Sequence, residues 1–172
     1  MRTILKSALP LFIFMMALSV MSCANTEDNE LFVHKSPNFT LTVPKWVDQK
    51  ASQDPYNIFR RQPYPGSGTT LDVAVKDIPA GRTYKETPTA FKKGIESLWK
   101  GSDVKILHER EIKLKDGTQA YEFEVKWKVG MWPLRSYVVA VFKDNEAILA
   151  VVTSLLWVGD ELKQYPLSLT LK

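Results

Sequence analysis

The sequence predicts an α+β fold in which an antiparallel β-sheet is packed with helices. Apolar and polar residues alternate through several short segments, a period of two that is typical of strands with one buried face. Residues 87–101 instead repeat their apolar side chains at helical spacing. The strands are grouped in the sequence rather than separated by helices, which favours antiparallel pairing with the helices laid on the sheet.

The first half of the chain predicts three strands. Phe39, Leu41 and Val43 alternate with threonines, and Pro44 ends this strand because proline has no N–H for the sheet. Trp46 follows at the corner and is predicted to be in the core. The next elements are a short strand at 57–62, a Pro/Gly loop at 63–68 and an alternating strand at 69–77.

One helix follows these strands. Thr87 is predicted as its N-cap and Pro88 as its first residue, where the missing N–H has no helical partner to lose. Gly101 is predicted to end it. The apolar stripe consists of Phe91, Ile95, Leu98 and Trp99.

Four strands in succession are predicted in the second half. They cover residues 104–114, 119–128, 135–143 and 146–156. Asp116-Gly117 is typical of a hairpin turn. In the second strand, the residues expected to face the core are Tyr121, Phe123, Val125 and Trp127. The alternate residues are expected to form a solvated face of mixed charge, and they are Glu122, Glu124, Lys126 and Lys128.

The C-terminal residues allow two interpretations. Asp160 is suited to cap a short helix near 161–165, which Pro166 interrupts. Leucines at 167, 169 and 171 alternate, so the last residues are predicted either as helix or as strand.

The first 23 residues predict export and lipidation. Arg2 and Lys6 precede an apolar stretch at 8–20, which is too short for a bilayer span of roughly 20 residues and suits a signal peptide. Val20-Met-Ser-Cys23 resembles the bacterial lipobox. The resemblance implies cleavage before Cys23, a thioether-linked diacylglyceryl group on its sulfur and an acylated amino terminus, with palmitate as a typical chain. The expected location is the periplasmic side of the bacterial outer membrane, or the cell membrane.

Three segments are therefore expected, namely a signal peptide (1–22), a lipidated tether (23–30) and a single domain (31–172). Without Arg2 and Lys6 the chain has 21 basic and 19 acidic residues, a net charge of +2 that does not favour nucleic acid as a partner. Cys23 is the only cysteine, which excludes an internal disulfide and a thiolate zinc site. We predict neither a metal nor a cofactor.

The segment Phe39-Thr-Leu-Thr-Val-Pro-Lys-Trp46 is similar to the F-x-[IL]-x-x-P-x-x-W opening of PsbP-like proteins, with Pro44 and Trp46 one residue closer together. The layout of the whole segment 39–172, including Ala120-Tyr-Glu-Phe123 after the hairpin turn, resembles the PsbP-like α/β/α sandwich and its DcrB-type bacterial lipoproteins. This resemblance implies a non-enzymatic role, in which the protein assists a membrane complex or binds a protein partner, and it carries over no catalytic residue.

Two groups of residues are candidates for partner binding. Trp132 lies in a predicted turn with Arg135 close behind, and an exposed aromatic there suits a protein partner or a membrane surface. Its alternative is to fold back onto the sheet. The second group surrounds the Pro/Gly loop and consists of Tyr56, Arg60, Arg61 and Tyr64.

The sequence does not predict an enzyme. Glu109 and Glu111 alternate away from His108, and Gly66-Ser67-Gly68 lacks the spacing of a nucleophile elbow. The leading hypothesis is a lipid-anchored accessory or scaffold protein of the envelope that binds a protein partner. The alternative is a small-molecule or glycan binding module with a pocket between sheet and helix, which would need an apolar cavity of at least ~300 Å³.

Overall fold

The computed structural model describes residues 28–49, 56–78 and 82–172, and it confirms the α+β class. A 3-10 turn at Tyr84–Glu86 precedes the first helix. The elements are β1 (Asn29–Lys35), β2 (Asn38–Pro44), β3 (Val47–Asp48), β4 (Asn57–Gln62), β5 (Thr70–Asp77), α1 (Thr87–Leu98), β6 (Ser102–Lys113), β7 (Gln119–Val129), β8 (Trp132–Lys143), β9 (Glu146–Leu155), α2 (Asp160–Leu167) and β10 (Thr170–Leu171).

The main sheet has seven antiparallel strands in the order β3-β4-β5-β9-β8-β7-β6. The four predicted strands of the second half form its β6–β9 meander, and β5 extends the sheet from β9. A second sheet has the order β1-β2-β10. Because β10 pairs with β2, the last residues of the domain close against its beginning.

Helix α1 covers one face of the main sheet at the β6–β7 side. The ring of Phe91 meets that of Phe123 edge-on, with centroids 5.6 Å apart, and the Trp99 and Trp127 rings lie 5.4 Å apart. Ile95, on the same stripe, is buried between them. This part of the predicted stripe is confirmed, whereas Leu98 is exposed.

The small sheet and α2 cover the opposite face. Phe39, Leu41 and Val43 of β2 are fully buried there against the main sheet, as the alternation predicted, and Tyr165 of α2 joins them. Trp46 packs at the edge of this core, with its ring centroid 6.0 Å from that of Tyr165. The domain is thus a sandwich of three layers, and the main sheet is its middle layer.

The helix ends differ from the prediction. The N-cap of α1 is Glu86 rather than Thr87, because the preceding 3-10 turn already sets Glu86 in a helical conformation. The N-cap of α2 is Gly159, and Asp160 is the first helical residue. After α1 the left-handed residue is Lys100 (φ 55°) and not Gly101, which was predicted to end the helix. Gly101 is needed for space instead, since a Cβ there would lie 2.3 Å from Cγ2 of Ile95.

The expectation of a solvated face on β7 is wrong for two of its four residues. Glu122 and Glu124 are only 4% and 6% exposed. Strand β7 lies inside the sheet, and its neighbours β6 and β8 place basic and aromatic side chains beside both carboxylates. Lys126 is exposed, as expected, and Lys128 is half-buried.

The two ends of the domain differ in detail from the prediction. Strand β1 begins at Asn29, so Asn29 and Glu30, which fall within the predicted tether (23–30), belong to a strand. At the other end, α2 continues through Pro166 to Leu167 and the short strand β10 follows, so both interpretations occur in succession. Cys23 and the predicted signal peptide (1–22) lie outside the described residues. In the part of the chain that is described, no helix has the length and apolar character needed to span a bilayer.

Candidate functional site

A cleft runs between α1 and the main sheet. Because α1 packs on the β6–β7 side, a cavity of about 450 Å³ is left between the helix and strands β4, β5 and β9. Apolar side chains from β5 and β9 form its floor, among them Ala74, Leu149 and Val151. Its helical wall includes Ala90 and Gly94, small residues that leave the space open.

A second cavity of about 660 Å³ continues the cleft at the C-terminal end of α1. The two cavities share Leu98 and Trp99, so they form one groove along the helix. Twelve helical residues span roughly 18 Å, which sets the length of the groove. Two cations, Arg60 and Lys100, line the second cavity together with threonine and serine hydroxyls and the ring of Trp127.

Asp72 lies below the junction of the two cavities and accepts hydrogen bonds from the residues around it. It is buried, and its Oδ1 accepts from Nε of Arg60 (2.5 Å) and from Nδ2 of Asn57 (2.7 Å). Its Oδ2 accepts from the Thr70 hydroxyl (2.7 Å). The Arg60 guanidinium also lies 6.0 Å from the ring centroid of Trp99. These contacts fix Arg60 in the wall of the groove, so a bound molecule meets an already ordered cation.

Charges of both signs surround the other end of the groove. Nζ of Lys76 lies 4.6 Å from the ring centroid of Tyr56. Arg82 and Glu86 form an exposed ion pair with a nitrogen–oxygen distance of 3.5 Å. Tyr56 and Arg60, two of the residues predicted from the sequence, therefore line one groove.

Arg61 lies on the other face of β4, although it is next to Arg60 in sequence. Its Nε donates to Asp48 (2.6 Å), its Nη1 donates to the Pro44 carbonyl (2.9 Å), and its Nη2 lies 2.5 Å from a carboxylate oxygen of Glu30. Arg61 thus joins the two sheets. This network gives it a structural role and separates it from the groove.

Trp132 lies at one end of the main sheet, as the first residue of β8, with 61% of its surface exposed. It pairs with Val129 across the β7–β8 turn, and Met131 in that turn is also exposed. Beside it, β9 ends and Leu156 and Trp157 turn outward; Leu156 has a left-handed backbone (φ 65°) that breaks the strand. We call Met131, Trp132, Leu156 and Trp157 the apolar tip.

Tyr64 is exposed on the β4–β5 loop at this same end of the sheet. In that loop Gly68 packs so closely on Leu155 that a Cβ there would lie 2.4 Å from its Cγ. The structure therefore brings Trp132 and Tyr64 to one end. Trp157 was not among the residues predicted from the sequence, although the apolar run Leu155-Leu156-Trp157 at the end of a predicted strand was a signal for it.

Arg135 points to the opposite face from Trp132. Its Nη1 donates to Oε1 of Glu124 (2.7 Å), while Nδ1 of His108 lies 3.8 Å from Oε2 of the same carboxylate. His108 thus has a carboxylate neighbour, but from β7 across the sheet rather than from its own strand. Because Arg135 holds this carboxylate, Glu124 is poorly suited to act as a base.

Glu122 forms a second buried network on the same face. It accepts from Nε of Arg110 on β6 and from the Tyr137 hydroxyl on β8. Burial and the adjacent Glu122 carboxylate raise the pKa of Tyr137 above its ordinary value. His34 has a separate structural contact, since its Nδ1 lies 3.0 Å from the Pro37 carbonyl. The described residues contain no group of three or more metal-ligating side chains.

Solved structures with a similar fold include the following two. One is the solution structure of cyanobacterial PsbP (CyanoP) from Synechocystis sp. PCC 6803, with a TM-score of 0.65 and 13% identity, covering 89% of this chain and 99% of that one. The other is the Ran-binding protein Mog1p from Saccharomyces cerevisiae, with a TM-score of 0.54 and 11% identity, covering 75% and 78%. No protein-family model and no curated protein matches the sequence. At these identities the likeness shows the fold alone, and that fold is PsbP-like.

Proposed function

We propose that the chain is a lipid-anchored, non-enzymatic accessory protein of the bacterial cell envelope that binds a protein partner in the groove along α1. The observation that carries the proposal is the groove itself, with its apolar floor and the ordered Arg60 in its wall. The anchor is lipid on Cys23, supported by the resemblance of Val20-Met-Ser-Cys23 to the lipobox. Two or more acyl chains give stable membrane attachment.

The shape of the groove favours an extended segment of a protein. At roughly 18 Å it accommodates about five residues of extended chain at ~3.3 Å per residue. Small residues at Ala74, Ala90 and Gly94 leave room for a backbone to approach. Tyrosine, tryptophan and arginine are the residue types most enriched in the hot spots of protein interfaces. The groove contains one of each, namely Tyr56, Trp99 and Arg60.

Other features support a binding role rather than catalysis. Mog1p is a Ran-binding protein by name, so a protein of similar fold binds another protein. The His108–Glu124 pair is the nearest arrangement to an acid–base site, but Arg135 holds the carboxylate. Neither His108 nor Glu124 is among the residues that line the groove.

Filling the groove without harming the fold tests the partner. In Gly94→Leu the new side chain enters open space, since a Cβ at this position would have nothing within 4 Å, and leucine favours a helix more than glycine does. We expect crosslinking in intact cells to recover the partner with wild type and to lose it with Gly94→Leu. Ser97→Leu, on the outer side of α1, is the matched control and should recover the partner. Equal recovery with both variants would refute the groove as the binding site.

The anchor is tested separately. Cells grown with radiolabelled palmitate should label the wild-type protein and not Cys23→Ser. The unlabelled variant should also leave the membrane fraction. If the serine variant is labelled or sediments with membranes as wild type does, the protein is not held by lipid on Cys23.

A small molecule or glycan is the second candidate for the same groove. The cavity of about 450 Å³ lies in the size range of small-molecule sites, and buried Asp72 and Asn57 supply polar groups beside its apolar floor. Native mass spectrometry of protein purified from cells should then show a bound mass that Gly94→Leu lacks. A crosslinked protein without such a mass favours the protein partner, and a bound mass without a crosslinked protein favours the small molecule.

A further inference from the structure

The apolar tip presents four large apolar side chains at one end of the main sheet. Trp132 and Trp157 are 61% and 53% exposed, and Met131 and Leu156 are more exposed still. The β7–β8 turn and the end of β9 are adjacent, because Leu134 pairs with Leu155 and the Leu156 N–H donates to the Pro133 carbonyl (3.2 Å). The four residues thus form one continuous apolar surface rather than separate exposed side chains. Such a surface usually marks an interaction site.

The chain enters the domain at this same end. The Asp28 carbonyl accepts from the N–H of Lys45, just after β2. Glu30 and the Pro44 carbonyl both contact Arg61, which is one residue from the end of β4. That end of β4 adjoins the β4–β5 loop, which packs on Leu155. The beginning of the described chain and the apolar tip therefore lie towards one end of the main sheet.

The distance from this point to a lipid on Cys23 is short. Four residues separate Cys23 from Asp28. Five Cα steps reach at most about 18 Å, even when fully extended. A lipid on Cys23 consequently keeps Asp28, and with it this end of the sheet, close to the bilayer surface.

Basic residues near the apolar tip, on the side of β6 and β7, favour contact with anionic phospholipid headgroups. Lys105 and Lys126 pair across β6 and β7, about three rungs behind Trp132. Lys128 lies one rung from the tip, paired with Asp103 at 2.8 Å, and Lys100 follows α1. The side next to Trp157 is acidic instead, with Asp160 and Glu161 at the start of α2. The apolar side chains thus provide the main attraction and the bases a secondary one.

We propose that the apolar tip docks into the interfacial region of the phospholipid bilayer that holds the Cys23 lipid, so that the domain stands on the membrane in one orientation. Tryptophan suits this region because its apolar body and polar N–H match the boundary between acyl chains and headgroups. The inference rests on the proposed lipid anchor. The tip adds a second contact, which fixes the direction of the groove relative to the membrane surface.

The test uses the full mature lipoprotein, purified from cells and reconstituted in vesicles of phosphatidylethanolamine and phosphatidylglycerol with brominated acyl chains. Bromine quenches tryptophan fluorescence only at short range. We expect quenching in wild type and loss of most of it in Trp132→Ala/Trp157→Ala. Of the three tryptophans that remain, Trp127 is buried, and Trp46 and Trp99 are half-buried against the two sides of the core. Val33→Ala changes a comparably exposed apolar residue on β1 and should keep the wild-type quenching.

Flotation of the same vesicles separates this inference from the anchor. Wild type and the double variant should both float, because the lipid is intact in each. Flotation with equal quenching in the two proteins overturns the docking of the tip and leaves the anchor standing. If wild type does not float, the anchor fails and the inference fails with it. The docking is also overturned if the double variant keeps its quenching but loses a crosslinked protein in cells, because the tip is then a protein interface.

Discussion

The two faces of β7 are buried to nearly the same extent by different physical means. Towards α1, Phe123 and Val125 are fully buried among apolar side chains. On the other face, Glu122 and Glu124 are almost equally buried, but among arginines and the Tyr137 hydroxyl. A period-two pattern therefore identifies which residues share a face of the strand. Whether that face is exposed to solvent depends on the side chains of the neighbouring strands.

The largest effect should come from the apolar face. Phe123→Ala removes a fully buried ring beneath α1 and should lower the free energy of unfolding by about 3–5 kcal/mol. Urea unfolding followed by circular dichroism measures it. Leu107→Ala, at an exposed position of β6, is the control and should change stability by less than about 0.5 kcal/mol. Similar losses in both variants would contradict the assignment of the core.

Substitutions on the opposite face of β7, which carries Glu122 and Glu124 and is called the carboxylate face below, should lower stability less than Phe123→Ala does. Glu122→Ala leaves the Tyr137 hydroxyl buried without its acceptor and removes the partner of Arg110. We expect a loss of about 2–4 kcal/mol. Glu109→Ala, on the exposed face of the neighbouring strand, should have little effect. If the two glutamate variants are equally stable, the face is solvated after all.

Alkaline pH should weaken the carboxylate face selectively. Burial and Glu122 raise the pKa of Tyr137 above that of an unfolded tyrosine, about 10. The folded state therefore holds this proton more tightly, so the stabilisation is complete below pH ~10 and is lost as the pH rises above it. Tyr137→Phe should lower stability at neutral pH by about 1.5–2 kcal/mol and flatten the alkaline decline. An unchanged slope in unfolding experiments between pH 8 and 11 would contradict this.

The smallest change in stability should come from a substitution in the groove between α1 and the main sheet, where the packing is open. Gly94 lies inside α1, and a Cβ there meets nothing within 4 Å. Gly94→Ala should raise the free energy of unfolding by about 0.5–1 kcal/mol, because alanine favours the helix. Thermal unfolding measures the shift. A loss of stability would mean that the groove wall is more tightly packed than the structure describes.

Much of the fold could be predicted because it depends on local patterns. Alternation placed Phe39, Leu41 and Val43 in the core, and Asp116-Gly117 marked a hairpin in which Gly117 takes a left-handed backbone (φ 86°). Helical spacing placed Phe91 and Ile95 against the sheet. Each of these properties requires only residues within a few positions of one another.

The remainder depends on contacts between residues far apart in the sequence. Glu122 is buried because Arg110 and Tyr137, 12 and 15 residues away, meet it from two strands. Tyr56 and Arg60 line a groove only because α1 lies over β6–β7 and not over β4–β5. The pattern of β1 was difficult to detect, since its apolar Leu31 and Val33 are the exposed ones.

Strand β6 forms the long open edge of the main sheet, where β7 is its only partner among the strands that the structure describes. Such edges invite further strands to add, but β6 interrupts its pairing twice and carries charges of both signs along its length. The charged residues are Asp103, Lys105, Glu109, Arg110, Glu111 and Lys113. A second molecule that added a strand here would have to desolvate these charged side chains and match an edge bent at two places, so the domain is protected from edge-to-edge aggregation when many copies are crowded together.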